Sequence, residues 1–197
     1  MDVVAQGATH QAWLASETIK LAWRDRHPAT CLLWVGCEYA ARDALHHPGT
    51  VFEAGPRLRF KAVHYQGTPW LRMALPSGRE VTYFRPHIEP GKALSYEGTD
   101  SGQGHAGWGR LLNYGGKLVE NACQSCARDI LADRLQAVEN VGYRVVLTVH
   151  DEMVAEATDT TDYSAAHLSD LLATNPDWAK GLPLAAEGFE AQRYRKG

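Results

Sequence analysis

Two short apolar runs, Val145-Val146-Leu147-Thr148-Val149 and Met153-Val154-Ala155, flank the charged triplet His150-Asp151-Glu152. Runs of this length and composition, interrupted by a few polar positions, predict a β-hairpin that carries its charges at the tip. What precedes it narrows the choice of fold further. From Gly116 to about Val141 the residues Leu118, Ala122, Cys126 and Ile130 form one apolar row at helical spacing, extended by Leu131, Leu135 and Val138. Gly142 then stands where the C-terminal glycine of a helix belongs. A long helix, a glycine stop and a hairpin with an acidic tip must therefore follow one another directly.

The rest of the chain is read around that core. Residues 10–47 predict two helices broken at His27-Pro28, with Pro48-Gly49 ending the second. Strand-like runs follow at Val51-Phe52, Leu58 to Val63, Trp70 to Leu75 and Val81 to Phe84, and Pro76-Ser77-Gly78-Arg79 is a turn signal between the last two. Gly98 to Gly109, rich in glycine and polar residues, reads as a loop, and about Ala165 to Ala173 reads as a helix. The expected class is α+β: a helical N-terminal segment over residues 1–50, a β-rich insert over 51–100, and a third part over 101–197 holding the long helix and the hairpin.

Composition excludes several classes. With 45% hydrophobic and 22% charged residues the chain reads as globular, and no apolar run approaches the ~20 residues that span a bilayer. Its N-terminus lacks the basic start and apolar core of a secretory signal, which gives a cytoplasmic expectation and no membrane partner. Cys31, Cys37, Cys123 and Cys126 do not form a secreted disulfide framework. The Cys123–Cys126 pair lies within the helical stretch without a second ligand pair, so the two read as small buried helix residues and not as a zinc site. The net charge of −3 gives no global nucleic-acid signature. The charge is unevenly spread, however: residues 151–190 hold nine carboxylates against Lys180, residues 51–100 hold seven basic side chains against five acidic, and a basic tail ends in Arg193, Arg195 and Lys196.

The chemistry concentrates in two places. Carboxylates at a rigid β-turn suit a hard divalent cation such as Mg²⁺, which prefers oxygen ligands, whereas the plain alternative is a turn polarised by exposed charge. A His-Asp pair also occurs in metal-dependent phosphohydrolases, but these need further histidines on helices, and His150 follows a strand. On the preceding helix Lys117, Asn121, Gln124 and Arg128 fall within roughly 60° of one another at ~100° per residue. Such a row of donors suits phosphate oxygens and the minor-groove acceptors that every base pair presents, and its plain alternative is a solvated helix face.

Taken in order, Tyr114-Gly115-Gly116-Lys117-Leu118-Val119-Glu120-Asn121, Gln124, Ala127-Arg128-Asp129, Gly142-Tyr143 and Val149-His150-Asp151-Glu152 closely resemble the C-terminal palm of family A DNA polymerases, above all the phage and prophage branch. Trp178-Ala179-Lys180-Gly181-Leu182-Pro183, Ala186-Glu187-Gly188 and Arg193-Tyr194-Arg195 resemble that branch's tail. Leu75-Pro76-Ser77-Gly78-Arg79 and Trp108-Gly109-Arg110 resemble its β insert, and the stretch from His27-Pro28 to Trp34 with Pro48-Gly49 resembles the helical segment after the nucleotide-binding helix. The resemblance implies a fingers remnant, a β insert and a partial palm in which the long helix packs behind a sheet that includes the hairpin. It implies that Asp151 is one of two palm aspartates ligating two catalytic Mg²⁺ ions, that His150 supports the primer terminus, and that Glu152 is an auxiliary carboxylate near the metals. Lys117, Asn121, Gln124 and Arg128 would line the primer-template minor groove, Arg110 would contact a phosphate, and the substrates would be primer-template DNA and dNTP.

The chain departs from the pattern in one respect that matters. The first metal aspartate of the family lies in a DYS-type motif on an earlier strand, which is missing. Asp162-Tyr163-Ser164 spells those letters but comes after the hairpin, opening a helix, and reads as coincidence. The nucleotide-binding helix, thumb and proofreading domain are also absent from these residues. The expectation is a part that is inactive alone and needs an upstream polymerase polypeptide or self-association, the latter promoted by an unpaired sheet edge and exposed apolar surface. The alternative is a non-catalytic DNA-binding or partner-binding module, a degenerate remnant that keeps the groove-facing helix.

Overall fold

The computed structural model describes residues 3–88, 91, 93–100 and 107–194. The chain divides into two compact units, one of Met1–Met73 with Thr82–Glu120 and one of Ala74–Val81 with Asn121–Gly197. Both helix and antiparallel sheet are present, as an α+β chain requires.

In the first unit, α1 (Val3–Arg26) and α2 (Pro28–His46) are separated at His27, as expected. Pro28 opens α2, where the missing N–H costs nothing and the fixed φ is already helical. From residue 10 onward α1 buries no described side chain and exposes Trp13, Leu14, Ile19 and Leu21. α2 buries Cys37, Ala40, Ala41 and Ala44, a row of small side chains that lets β1 (Val51–Ala54) and β2 (Leu58–Tyr65) approach closely. Gln66 and Gly67, with φ of 49° and 76°, make the two-residue turn into β3 (Thr68–Ala74), both in the left-handed region a type I′ turn needs. β4 (Glu80–Ile88), β5 (Leu94–Asp100) and β6 (Gly107–Asn113) complete a six-stranded sheet whose strands pair in chain order. Phe60, Leu71, Met73, Tyr83 and Leu94 are buried within this unit.

The sheet corrects one expectation. Gly98 to Gly109 is not simply a loop: β5 and β6 run into it from both sides, with Gly98 opposite Gly109 and Thr99 opposite Trp108. Residues 101–106 lie outside the described residues, as do Lys92 and the tail residues Arg195 and Lys196. Glycine reads as a breaker in sequence, but here it answers a packing demand, since a Cβ on Gly98 would stand 3.0 Å from the Tyr96 ring.

α3 (Gly115–Asn140) begins in the first unit and continues into the second. Gly142, at φ 103°, turns the chain after it, and β7 (Arg144–Val149) and β8 (Glu152–Glu156) form the hairpin. The hairpin is a two-stranded sheet of its own, so the single sheet including it that the resemblance implied is not found among the described residues. Val146 and Leu147 are correspondingly exposed. An isolated two-stranded ribbon is marginally stable, because each strand satisfies its ladder on one side only.

α4 (Ala165–Leu172) is docked by the Asp162-Tyr163-Ser164 segment. Ser164 Oγ accepts from the His167 amide at 3.1 Å as the helix N-cap. The buried Tyr143 hydroxyl accepts from the Ser164 amide and donates to the Ser164 carbonyl, each at 3.1 Å. The Tyr163 ring meets Tyr143 edge-on at 4.9 Å. Tyrosine and serine of this segment thus hold the tail in place.

Candidate active site and DNA-facing helix

The acidic tip is a two-residue turn. Val149 pairs with Glu152, leaving His150 and Asp151 as the loop. His150 adopts φ 56°, a left-handed conformation that a residue with a Cβ takes at a cost of about 1–3 kcal/mol. A glycine would take it freely, so the histidine persists there at the expense of stability. His150, Asp151 and Glu152 are all exposed. Between Val145 and Leu147 the register shifts by one residue, a bulge that increases local twist along the ribbon. The strands fix the tip from both sides, and the outermost pair, Arg144 and Glu156, adds an exposed ion pair of 3.6 Å.

Asp151 and Glu152 supply hard oxygen donors of the kind Mg²⁺ selects. One or two carboxylates completed by water and substrate phosphate is an ordinary Mg²⁺ environment, so the donor set fits such an ion. Among the described residues no group of three His, Cys, Asp or Glu side chains stands close enough to hold a metal ion.

On α3, Lys117, Gln124 and Arg128 are exposed and Asn121 is half-buried, whereas Leu118, Ala122 and Asp129 are buried. The predicted donor row is thus on the solvent side of the helix. Cys126 is half-buried and Cys123 exposed, and both are free thiols, so the expectation of two buried cysteines holds for neither in full. Burial raises the Cys126 thiol above its ordinary pKa, with Asp129 and Cys123 adding to the shift and Arg79 opposing it. Arg110 stands on β6, in the first unit. Its guanidinium donates to Glu97 Oε1 at 3.1 Å, Ser95 Oγ at 3.2 Å and the Arg85 carbonyl at 3.3 Å.

Two anchors of α3 escaped the reading of the sequence as functional positions. At its start, Glu38 on α2 accepts from the Gly115 amide at 3.2 Å and is itself held by Arg42 at 3.0 Å. A carboxylate there satisfies a free helix N–H and complements the helix dipole. A Cβ on Gly115 would lie 1.9 Å from the Trp34 carbonyl oxygen, which explains the glycine in Tyr114-Gly115-Gly116. Further along, Asp129 is clamped by Ser77 and Arg79 from the turn between β3 and β4. Helical spacing could have flagged Asp129, a carboxylate on the apolar side of an amphipathic helix.

No protein-family model matches the chain, and no solved structure matches it. It is 36% identical over 98% of its length to a protein described as "DNA polymerase" from Bacillus phage SP02. The aligned region spans 30% of that relative's length. No helix among the described residues is long and apolar enough to cross a membrane. Over nearly its whole length, then, the chain is similar to part of a phage DNA polymerase, as its ordered motifs had indicated.

Proposed function

We propose that this chain is part of a DNA-directed DNA polymerase of the family A phage type, supplying a metal-binding aspartate and a helix that tracks the primer-template duplex. The observation that carries the reading is the hairpin tip, where His150 is held at φ 56° and Asp151 and Glu152 are exposed beside it, in a chain similar to a phage polymerase along 98% of its length. Asp151 is the palm carboxylate, Glu152 an auxiliary one, and His150 the contact to the primer terminus. When bound, two Mg²⁺ ions would activate the primer 3′-hydroxyl and neutralise the triphosphate. The chain's own contribution is positional. The two-residue turn places Asp151 and Glu152 side by side at the end of the β7–β8 ribbon. Asn121 and Gln124 donate to minor-groove acceptors common to all base pairs, and Lys117 and Arg128 neutralise phosphates, which gives grip without sequence preference. Arg110 is a further candidate for a phosphate.

The second palm aspartate is supplied from outside these residues, by an upstream polymerase polypeptide, and the site of synthesis is the host cytoplasm. The exposed Val146 and Leu147 on the lone hairpin support such a partner. A rival reading, a DNA-binding module without metal chemistry, draws on the first metal aspartate missing from these residues. Primer extension in Mg²⁺, with the second aspartate supplied in trans, separates the two. The proposal expects extension, and duplex binding without extension would favour the module.

A further inference from the structure

The six-stranded sheet has a second face from which the polymerase reading uses only Arg110. Trp70, Phe84 and Trp108, from β3, β4 and β6, form a continuous aromatic row there, with ring centroids 4.9 Å apart for Trp70 and Phe84 and 5.8 Å for Phe84 and Trp108. The row borders a cleft of about 420 Å³ that Glu97 and Gly98 also line. Trp108 is 64% exposed, an unusual position for a tryptophan whose ring could be buried. The indole Nε1 of Trp70 is buried with no hydrogen-bond partner among the described residues.

Cations interleave with these rings. Phe84 pairs with Glu97 and Glu97 with Arg110 across the strands, which puts all three on one side of the sheet. Arg85 lies 5.1 Å from the centre of the Phe84 ring and 3.5 Å from Glu97. It reaches there because the β4–β5 register shifts between Phe84 and His87 and Arg85 takes φ 44°. Bulges commonly re-aim a side chain at a functional site, and strain of this kind marks a place worth explaining. On β2, Arg59 and Lys61 alternate with the buried Leu58, Phe60 and Ala62, and on β3 the exposed Arg72 lies between the buried Leu71 and Met73. Glu97 is shared by Arg85 and Arg110, and Glu53 stands 3.7 Å from Arg59.

From this combination we infer that the aromatic face of the sheet binds single-stranded DNA, with unpaired bases stacking on Trp108 and along the Phe84–Trp70 row while the arginines and Lys61 follow the phosphates. Stacking needs only a π-face and so accepts any base, and the flanking cations supply the salt-sensitive part of the affinity. A duplex hides its base faces and cannot use the row. This surface is built by the first unit from residues other than the hairpin tip and the donor row of α3, and its ligand follows from its own chemistry.

The test is a titration of the full chain with an oligothymidylate of about 20 nucleotides, read by tryptophan fluorescence without nucleotide or metal. A chain that fails to polymerise therefore leaves this test intact. The expected result is quenching that saturates and weakens with salt, a Kd raised about tenfold by Trp108→Ala, and recovery of most of that loss by Trp108→Tyr. Lys61→Glu, which leaves the rings in place, should weaken binding several-fold and flatten the salt dependence. An absence of quenching, or a folded Trp108→Ala and a Lys61→Glu that both bind like the parent, would overturn the inference and point to a polypeptide as the cover of this face.

Discussion

Arg79 and Asp129, 50 residues apart in the chain, meet through an Nε–Oδ1 contact of 2.6 Å that fixes the β3–β4 turn to α3. The carboxylate is 9% exposed, and Arg79 also donates to the Ser125 carbonyl at 3.1 Å. Both residues belong to the second unit, so the clamp sets the part of α3 that carries Gln124 and Arg128.

Removing the arginine leaves a nearly buried carboxylate with Ser77 as its remaining donor among the described residues. Arg79→Ala should therefore destabilise the protein by about 1.5–3 kcal/mol, read as a lower urea midpoint at unchanged slope. Arg79→Lys should recover less than half of that, because a point ammonium cannot reach Asp129 and the Ser125 carbonyl together. Full recovery by lysine would mean that charge alone matters.

Gly115 and Gly109 make a contrasting pair. An added methyl at Gly115 collides with the Trp34 carbonyl, whereas nothing lies within 4 Å of one at Gly109. Gly115→Ala should cost about 3 kcal/mol or prevent folding, and Gly109→Ala should change stability by no more than about 0.5 kcal/mol. Thermal melts of the two variants would check this, and equal behaviour would contradict the packing of α2 against the start of α3.

Replacing His150 with glycine should relieve the positive φ and raise stability by up to about 1 kcal/mol, less the entropy glycine adds to the unfolded chain. On the proposed polymerase reading, primer extension should fall at the same time, through weaker binding of the primer terminus. A variant both less stable and fully active would remove the argument that this strain serves function.

The two helix thiols should differ in reactivity. Cys123 is exposed, whereas burial raises the Cys126 pKa, so at neutral pH iodoacetamide should label Cys123 first. Labelling of Cys126 should rise as pH climbs through its raised value. The folded thiol holds its proton more tightly than the unfolded one, so its contribution to stability is present below the ordinary thiol range and lost as pH rises through the folded pKa. Peptide mapping after timed alkylation at two pH values reads the order, and equal early labelling would contradict it.

The elements that carry the candidate site were legible because each obeys a local rule. The apolar row from Leu118 to Ile130 gives α3, Gly142 stops it, and alternation with a charged break gives β7 and β8. The strands around Gly98 and Gly109 were not legible, since glycine at Gly98 answers to a neighbouring ring and both glycines are placed by pairing across the sheet. Nor could local patterns show that Asp129 is met by Arg79, because that pairing depends on a turn brought in from far along the chain. The aromatic row was equally hidden. Trp70, Phe84 and Trp108 become neighbours only when β3, β4 and β6 lie in register.

The measurement that bears most directly on the polymerase reading is primer extension with Mg²⁺ by this chain combined with a polypeptide supplying the rest of a phage-type palm, comparing the parent with Asp151→Ala. Extension by the parent mixture is expected, with a loss of at least about 100-fold for Asp151→Ala at unchanged duplex affinity. Extension that survives Asp151→Ala would contradict the role given to the hairpin tip.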